Sequence, residues 1–432
     1  MKLFVSVFLL SAISLAPIQS VHAQSVHAQS AANPSILGEW QGTAINHEQS
    51  VPVVLKISGT PTHLEAALLN GTDKSTATSA SYTDGHLVLT FNYYARGIDA
   101  TLQNGTLTGT FGGKRGGFFP ITLHRAPLTP APRLPQLDIL GDWEIAVKTA
   151  NGESAWQLRI AKSDAPSASI RAVIQRIDGD TGSLYGTLPA NFKLGDTFQV
   201  SHFIAAGSAL YSISPQADGT LQVKNLLSTT DTATHTARRP EQARKENLAP
   251  PTDTAQQTTM KDPNEPLRFS FPDLTGKVIS NTDAQFDGKV VIVAIGGSWC
   301  PNCHDEAPFL VDLYKQYHSK GLEIVNLSFE EDDQLKDPNR LRAFIARYGI
   351  QYTVLVAGNT DQLNEKITQA NNLNSWPTSF FLGRDGKVKE IHAGYAGPGN
   401  PAANKALTKE VTELVEHLLS EPAPVRTAAL KP

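Results

Sequence analysis

The sequence predicts a multidomain protein in which an all-β repeat region precedes an α/β domain, a mixed sheet with helices on both faces. Three observations predict it. Short alternating segments recur with a period of about one hundred residues in the first half. Two proline-rich stretches punctuate the chain. From Leu267 onward, buried β-branched runs alternate with helical patterns.

The chain of 432 residues opens with Lys2, an apolar stretch from Leu3 to Leu15, and the small-residue sequence Val21-His22-Ala23. This pattern predicts a secretory signal peptide over 1–23. "VHAQS" recurs at 26–30, so Ala28 offers a second cleavage position. The apolar run is too short to span a bilayer. No cysteine stands near the cleavage site, so a lipoprotein anchor is not expected. The expected protein is exported, periplasmic and not an integral membrane protein. Its net charge of −4 gives no reason to expect nucleic acid or an anionic membrane surface as partner.

The repeat region spans 35–126 and 136–236. "ILGEW" at 36–40 returns as "ILGDW" at 139–143. "VVLKIS" at 53–58 aligns with "WQLRIA" at 156–161 on the same offset. The segments alternate apolar with polar and break at Asn-Gly or Asp-Gly, as antiparallel strands with tight turns do. Two small β domains and two halves of one sandwich or barrel fit this pattern equally. Trp40, Trp143 and Trp156 are expected in the core. Residues 237–265 are polar, lack apolar periodicity and read as a linker. Residues 422–432 read as a disordered tail.

The α/β domain spans 266–421. "KVVIVAIGG" at 289–297 reads as a buried, parallel strand. A helical period follows from Asn302 to Ser319. "LEIVNLSF" at 322–329 is a strand, 339–349 a helix ending on glycine, and "YTVLVAG" a strand. Residues 377–394 form a hairpin turning at 384–386, and 407–421 form the closing helix.

The only two cysteines, Cys300 and Cys303, stand two residues apart between the first strand and its helix. So short a loop cannot staple a domain, so its use is chemical. The helix start favours a thiolate, lowering the pKa of Cys300, which is expected to be the more exposed sulfur. Cys303 lies one turn further in. Attack by Cys300 on a disulfide, followed by attack of Cys303 on Cys300, is a complete exchange cycle. Pro301 suits the first helical turn. A zinc site would need two further ligands that the chain does not supply in a second CxxC or a closely spaced His pair. His304, Asp305 and the acidic run 330–333 read as solvated helix-start residues.

"SWCPNC" at 298–303, "HDEAP" after it and "SWPTSFFL" at 375–382 resemble the exported TlpA/ResA-like thiol–disulfide oxidoreductases of the thioredoxin superfamily. The resemblance covers about 150 residues. It implies a C-terminal thioredoxin-like fold, with Pro377 as the cis-proline that docks substrate and Trp299 flanking the redox pair. Glu306 aligns with a carboxylate near the resolving thiol, and Pro308 with a proline that kinks the first helix. The segment from Phe329 to Gln351 stands where this branch carries an insertion. Pro301, Trp299, Trp376 and Pro377 are the expected substrate contacts. Cys300, Cys303 and Glu306 are the expected catalytic residues. Pro301-Asn302 and the bulky Trp376 depart from the residues often found there.

The resemblance implies no cofactor beyond the Cys300–Cys303 disulfide. It implies a disulfide-containing protein substrate and a membrane thiol electron donor. Two alternatives stand beside disulfide reduction. A peroxidase would carry Thr or Ser three residues before its cysteine and Pro seven before, where this chain has Gly297 and Val293. A binding protein would use the β repeats to capture a ligand or partner.

Overall fold

The computed structural model describes residues 35–60, 62–126, 129–131 and 138–422. The signal peptide and the tail from 423 lie outside the described residues. From Ile36 onward the chain forms one compact unit.

Each β repeat curls into its own up-and-down barrel. In the first, Gly38–Asn46 pairs with Gln49–Thr60 on one side and Gly117–Arg125 on the other. The two edge strands of the nine-stranded sheet, Asp73–Thr76 and Ser79–Thr83, are consecutive in the chain. Ala77 N–H donates to Ala66 O and Thr78 N–H to Thr90 O, at 2.8 and 2.6 Å. One continuous stretch therefore bonds first to one edge and then to the other, closing the barrel. In the second, Ala155–Lys162 pairs with both Gly141–Ala146 and Ile170–Arg176, and Gly141–Ala146 also pairs with Thr234–Arg238, closing the ring. Both interiors are filled with side chains, including Trp40, Phe91 and Phe111 in one and Trp143, Leu158 and Ile213 in the other. Barrels of this size can be filled by side chains in this way. Phe203 of the second barrel packs edge-on against Phe111 of the first, with ring centroids 4.7 Å apart.

The repeated Ile-Leu-Gly-x-Trp has a structural reason. Gly38 and Gly141 have φ of +129° and +107°, outside the range of other residues. That bend brings the Trp40 and Trp143 indole N–H groups back to the carbonyls of Ile36 and Ile139, at 2.9 and 3.0 Å. An arginine then lies over each ring, Arg125 at the end of the last strand of the first barrel at 5.1 Å and Arg239, the residue just after the last strand of the second, at 3.8 Å. Each arginine also donates to the carbonyl before the glycine, Leu37 or Leu140. First and last strands are thus locked together, buried apolar surface and cation–π attraction acting at one point.

Residues 237–265 differ from the expected linker. Ala237 and Arg238 belong to the closing strand, Pro240–Lys245 is a short helix, and Thr259–Met260 pairs with Ala370–Asn371. Polar contacts hold this segment: Arg239 to three backbone carbonyls, and Gln257 to Asn151 O and Asn374. Contacts of this kind leave no apolar period in a sequence.

The C-terminal domain has the thioredoxin-like architecture. Its elements are β1 (Val290–Gly296), α1 (Pro301–Tyr317), β2 (Leu322–Glu330), α2 (Asn339–Tyr348), β3 (Thr353–Asn359), β4 (Thr378–Leu382), β5 (Val388–Ala393) and α3 (Pro401–Ser420). The sheet order is β3-β2-β1-β4-β5, with β1, β2 and β3 parallel and β4 and β5 antiparallel to their neighbours. Every residue of β1 is buried, as a β-branched central strand requires. Gly349, at φ +62°, ends α2. Among the described residues, no helix is long and apolar enough to cross a membrane.

Candidate active site

Strand β1 ends at Gly296, and Gly297 to Trp299 turn the chain into α1. The two glycines are forced by close approach. A Cβ on Gly296 would stand 3.0 Å from Cys303 Sγ, and one on Gly297 only 2.5 Å from Phe329 O. Cys300 is the N-cap of α1, and its Sγ accepts the Cys303 N–H at 3.2 Å. An otherwise unpaired donor of the first turn thus points at the sulfur. Both cysteines are free thiols.

Cys303 is buried 5 % exposed, and burial together with the bond and charge of Cys300 pushes its thiol well above the usual range. Glu306, on the next turn of α1, is also buried. Its Oε1 accepts from Ser379 Oγ at 2.8 Å, and burial, opposed by that bond, pushes its carboxyl up to about 7. Glu306 adds to the upward push on Cys303. A thiol that resists ionisation therefore lies within electrostatic reach of a carboxyl shifted to about 7.

The Trp376–Pro377 peptide is cis, and Pro377 O accepts the Gly394 N–H at 2.7 Å. Trp376 and Trp299 meet edge to face at 5.3 Å, and the Trp299 indole donates to Phe329 O at 2.9 Å. The two tryptophans are half-buried, Pro377 is buried and Pro301 is exposed. Pro308 lies within α1, which runs through it without interruption.

Three expectations are corrected. Cys300 is 2 % exposed, no more open than Cys303, because the barrels cover the mouth of α1. Arg115 of the first barrel lies 4.5 Å over the Trp299 ring and pairs with Glu331 at 2.8 Å. His304 is buried rather than solvated: it bonds Ser298 O and Tyr348 Oη and stacks at 4.1 Å on Tyr94 of the first barrel. Desolvation lowers its pKa to about 3, so it is neutral. Asp305 faces the second barrel, where burial and the nearby Asp180 and Asp73 push it up to about 8.

Within the acidic run 330–333, Asp332 and Asp333 are exposed in the first turn of a short helix, as expected, and Glu330 is the third correction. Glu330 is 0 % exposed. Its carboxylate accepts from Ser298 N–H, Ser298 Oγ and Ser328 Oγ, and pairs with Arg340 of α2 at 2.8 Å. Arg340 also pairs with Glu331. This buried pair fixes the Ser298 turn that leads into Cys300 and Cys303. Charge runs are usually solvated, so nothing local to 330–333 marks Glu330; its partner is ten residues away on α2.

These features coincide with known proteins. The Redoxin family matches residues 253–407. The thiol–disulfide oxidoreductase ResA of Bacillus thuringiensis (strain Al Hakam) is 32 % identical over 136 residues, covering 32 % of this chain and 72 % of the relative. The chain belongs to the TlpA/ResA-like thiol–disulfide oxidoreductases. ResA of Bacillus subtilis (strain 168) is 29 % identical over 126 residues, covering 29 % of this chain and 64 % of the relative. A thiol:disulfide interchange protein from Chlorobium tepidum TLS aligns with 38 % of this ResA-like chain and 100 % of its own, at 25 % identity and a TM-score of 0.30. The Redoxin match begins after the barrels, at residue 253.

Proposed function

We propose that this ResA-like protein reduces disulfides by dithiol exchange through Cys300 and Cys303. The Cys300 thiolate attacks one substrate sulfur, the other leaves as a thiolate, and a mixed disulfide forms at Cys300. Cys303 loses its proton to Glu306 and attacks Cys300 Sγ, expelling the second substrate thiolate. The substrate disulfide gains two electrons, and the Cys300–Cys303 pair closes as a disulfide. Pro377, Trp299, Trp376 and Pro301 form the substrate-facing rim. The observation that carries this reading is the pairing of a helix-capping Cys300 with a buried Cys303 beside Glu306.

The leader at 1–23 supports work outside the cytoplasm, where a membrane dithiol donor would restore the reduced pair. Turnover of a neutral disulfide by the Cys300→Ser variant tests the chemistry: the expected rate is background, and wild-type turnover overturns it. Equilibration of the full chain with thiol buffers tests the direction. A reductase is expected near roughly −270 mV, and a value near roughly −120 mV would mark an oxidant instead.

A further inference from the structure

A β-hairpin of the second barrel, Ile170–Arg176 with Gly179–Asp180, turns at Ile177 and Asp178. Hairpin tips ordinarily face water. Here Ile177 is 3 % exposed, and the tip runs between two parts of the redox domain. On one side Asp178 O accepts Asn302 Nδ2 at 2.8 Å, from the dipeptide between the two cysteines. On the other side Gly179 forms a parallel bridge with Tyr395. Gly394, whose N–H bonds the carbonyl of cis-Pro377 at 2.7 Å, faces Ile177 O. The tip therefore spans from the CxxC to the end of the strand beside the cis-proline.

Two glycines permit this approach. Gly179 has φ of +133°, and a Cβ on it would stand 2.5 Å from Asn302 Cγ and 2.7 Å from Tyr395 O. A Cβ on Gly394 would stand 2.1 Å from Ile177 O. A side chain at either place would hold the two backbones apart. The buried Glu153 carboxylate accepts the Ile177 N–H at 2.8 Å and holds the tip from the barrel side. What the tip offers to Asn302 and Tyr395 is backbone, a carbonyl and a bridge. Any extended polypeptide carries the same groups, which is how main-chain docking takes varied sequences.

We propose that the gap between Asn302 and Gly394–Tyr395 is the docking groove for an extended segment of a polypeptide disulfide, and that the tip Ile177–Gly179 fills it as an internal mimic which the substrate displaces. This names the substrate class for the exchange chemistry proposed above and rests on it. The second barrel then acts as a competitor built into the chain: a polypeptide that takes over the contacts of the tip gains the groove beside the redox pair.

The test measures binding of the carboxymethylated insulin B chain, a polypeptide with no thiol or disulfide to exchange, to the full chain by fluorescence anisotropy. Gly179→Ala forces the tip out of the gap, and binding is expected to tighten about fivefold, as removal of an internal competitor does. In the wild-type chain a saturating amount of the same peptide is expected to speed hydrogen exchange of the 177–182 amides about fivefold, because the tip is displaced. That second measurement decides the matter if Gly179→Ala does not fold. Absence of binding, equal binding by both folded chains, or unchanged exchange across the tip overturns the inference. None of these results bears on the exchange reading, which fails only if Cys300→Ser turns over disulfides like the wild type.

Discussion

Asn302 Nδ2 donates to Asp178 O at 2.8 Å, so the dipeptide between the two redox cysteines is tied to the second barrel. Tyr94 of the first barrel stacks on His304, one residue past Cys303. Both barrels therefore grip the first turn of α1, and Cys300 is shut beneath them. A protein-sized substrate reaches the sulfur only when these contacts part.

The first prediction follows from that closure. Alkylation of Cys300 in the reduced native chain is slow and limited by opening. Tyr94→Ala removes an aromatic contact worth roughly 1 kcal/mol, which raises the alkylation rate about fivefold. The rate is measured by mass spectrometry with iodoacetamide. Unchanged kinetics in the variant, or wild-type kinetics equal to those of the unfolded chain, would show that Cys300 is open.

Glu306 sets a pH dependence. Its folded pKa, about 7, lies above the ordinary 4.5, so folding favours the protonated form. Stability linked to this group is fully present below about pH 4.5, falls as pH rises toward about 7, and is flat above that. The loss is on the order of a few kcal/mol. Glu306→Gln removes it, so the wild-type and variant unfolding free energies, measured by denaturant titration, converge in slope above pH 7 and diverge between 5 and 7. The resolution step should slow by roughly ten- to a hundredfold in the variant, and the rise of kcat near pH 7 should vanish. Identical pH profiles would remove Glu306 from the mechanism.

Glu330 and Arg340 form a buried pair, and removing Glu330 leaves Arg340 with only the part-exposed Glu331 and strips the Ser298 and Ser328 donors of their acceptor. Glu330→Ala is expected to cost about 3–5 kcal/mol in thermal or denaturant unfolding. The same change frees the Ser298 turn, so the potential of the cysteine pair should shift as well. A loss below about 1 kcal/mol would mean that the pair is solvated.

Much of the C-terminal fold was legible because its signals are local. The β-branched run of β1, the glycine ending α2 and the CxxC at a strand-to-helix turn each sit within a few residues. Repetition of Ile-Leu-Gly-x-Trp reveals the β repeats, yet the arginines that cover those tryptophans, Arg125 and Arg239, come from the far end of each repeat. Helix-start and acidic residues are usually solvated, yet His304 and Glu330 are buried and Asp305 is half-buried. Tyr94, Arg340 and the second barrel cover them respectively, and no local pattern announces a contact made from another domain or helix. Cys300 follows the same rule: a helix N-terminus alone is open, and the barrel residues that cover this one lie more than a hundred residues upstream.

In the proposed cycle Cys300 attacks and Cys303 resolves. The most direct test is trapping with a Cys303→Ser chain incubated with a neutral disulfide and analysed by intact-mass and peptide mass spectrometry. The predicted result is a stable mixed disulfide at Cys300, absent from Cys300→Ser. An adduct on Cys303 in the Cys300→Ser chain, with none on Cys300 in the Cys303→Ser chain, would contradict the assignment of roles.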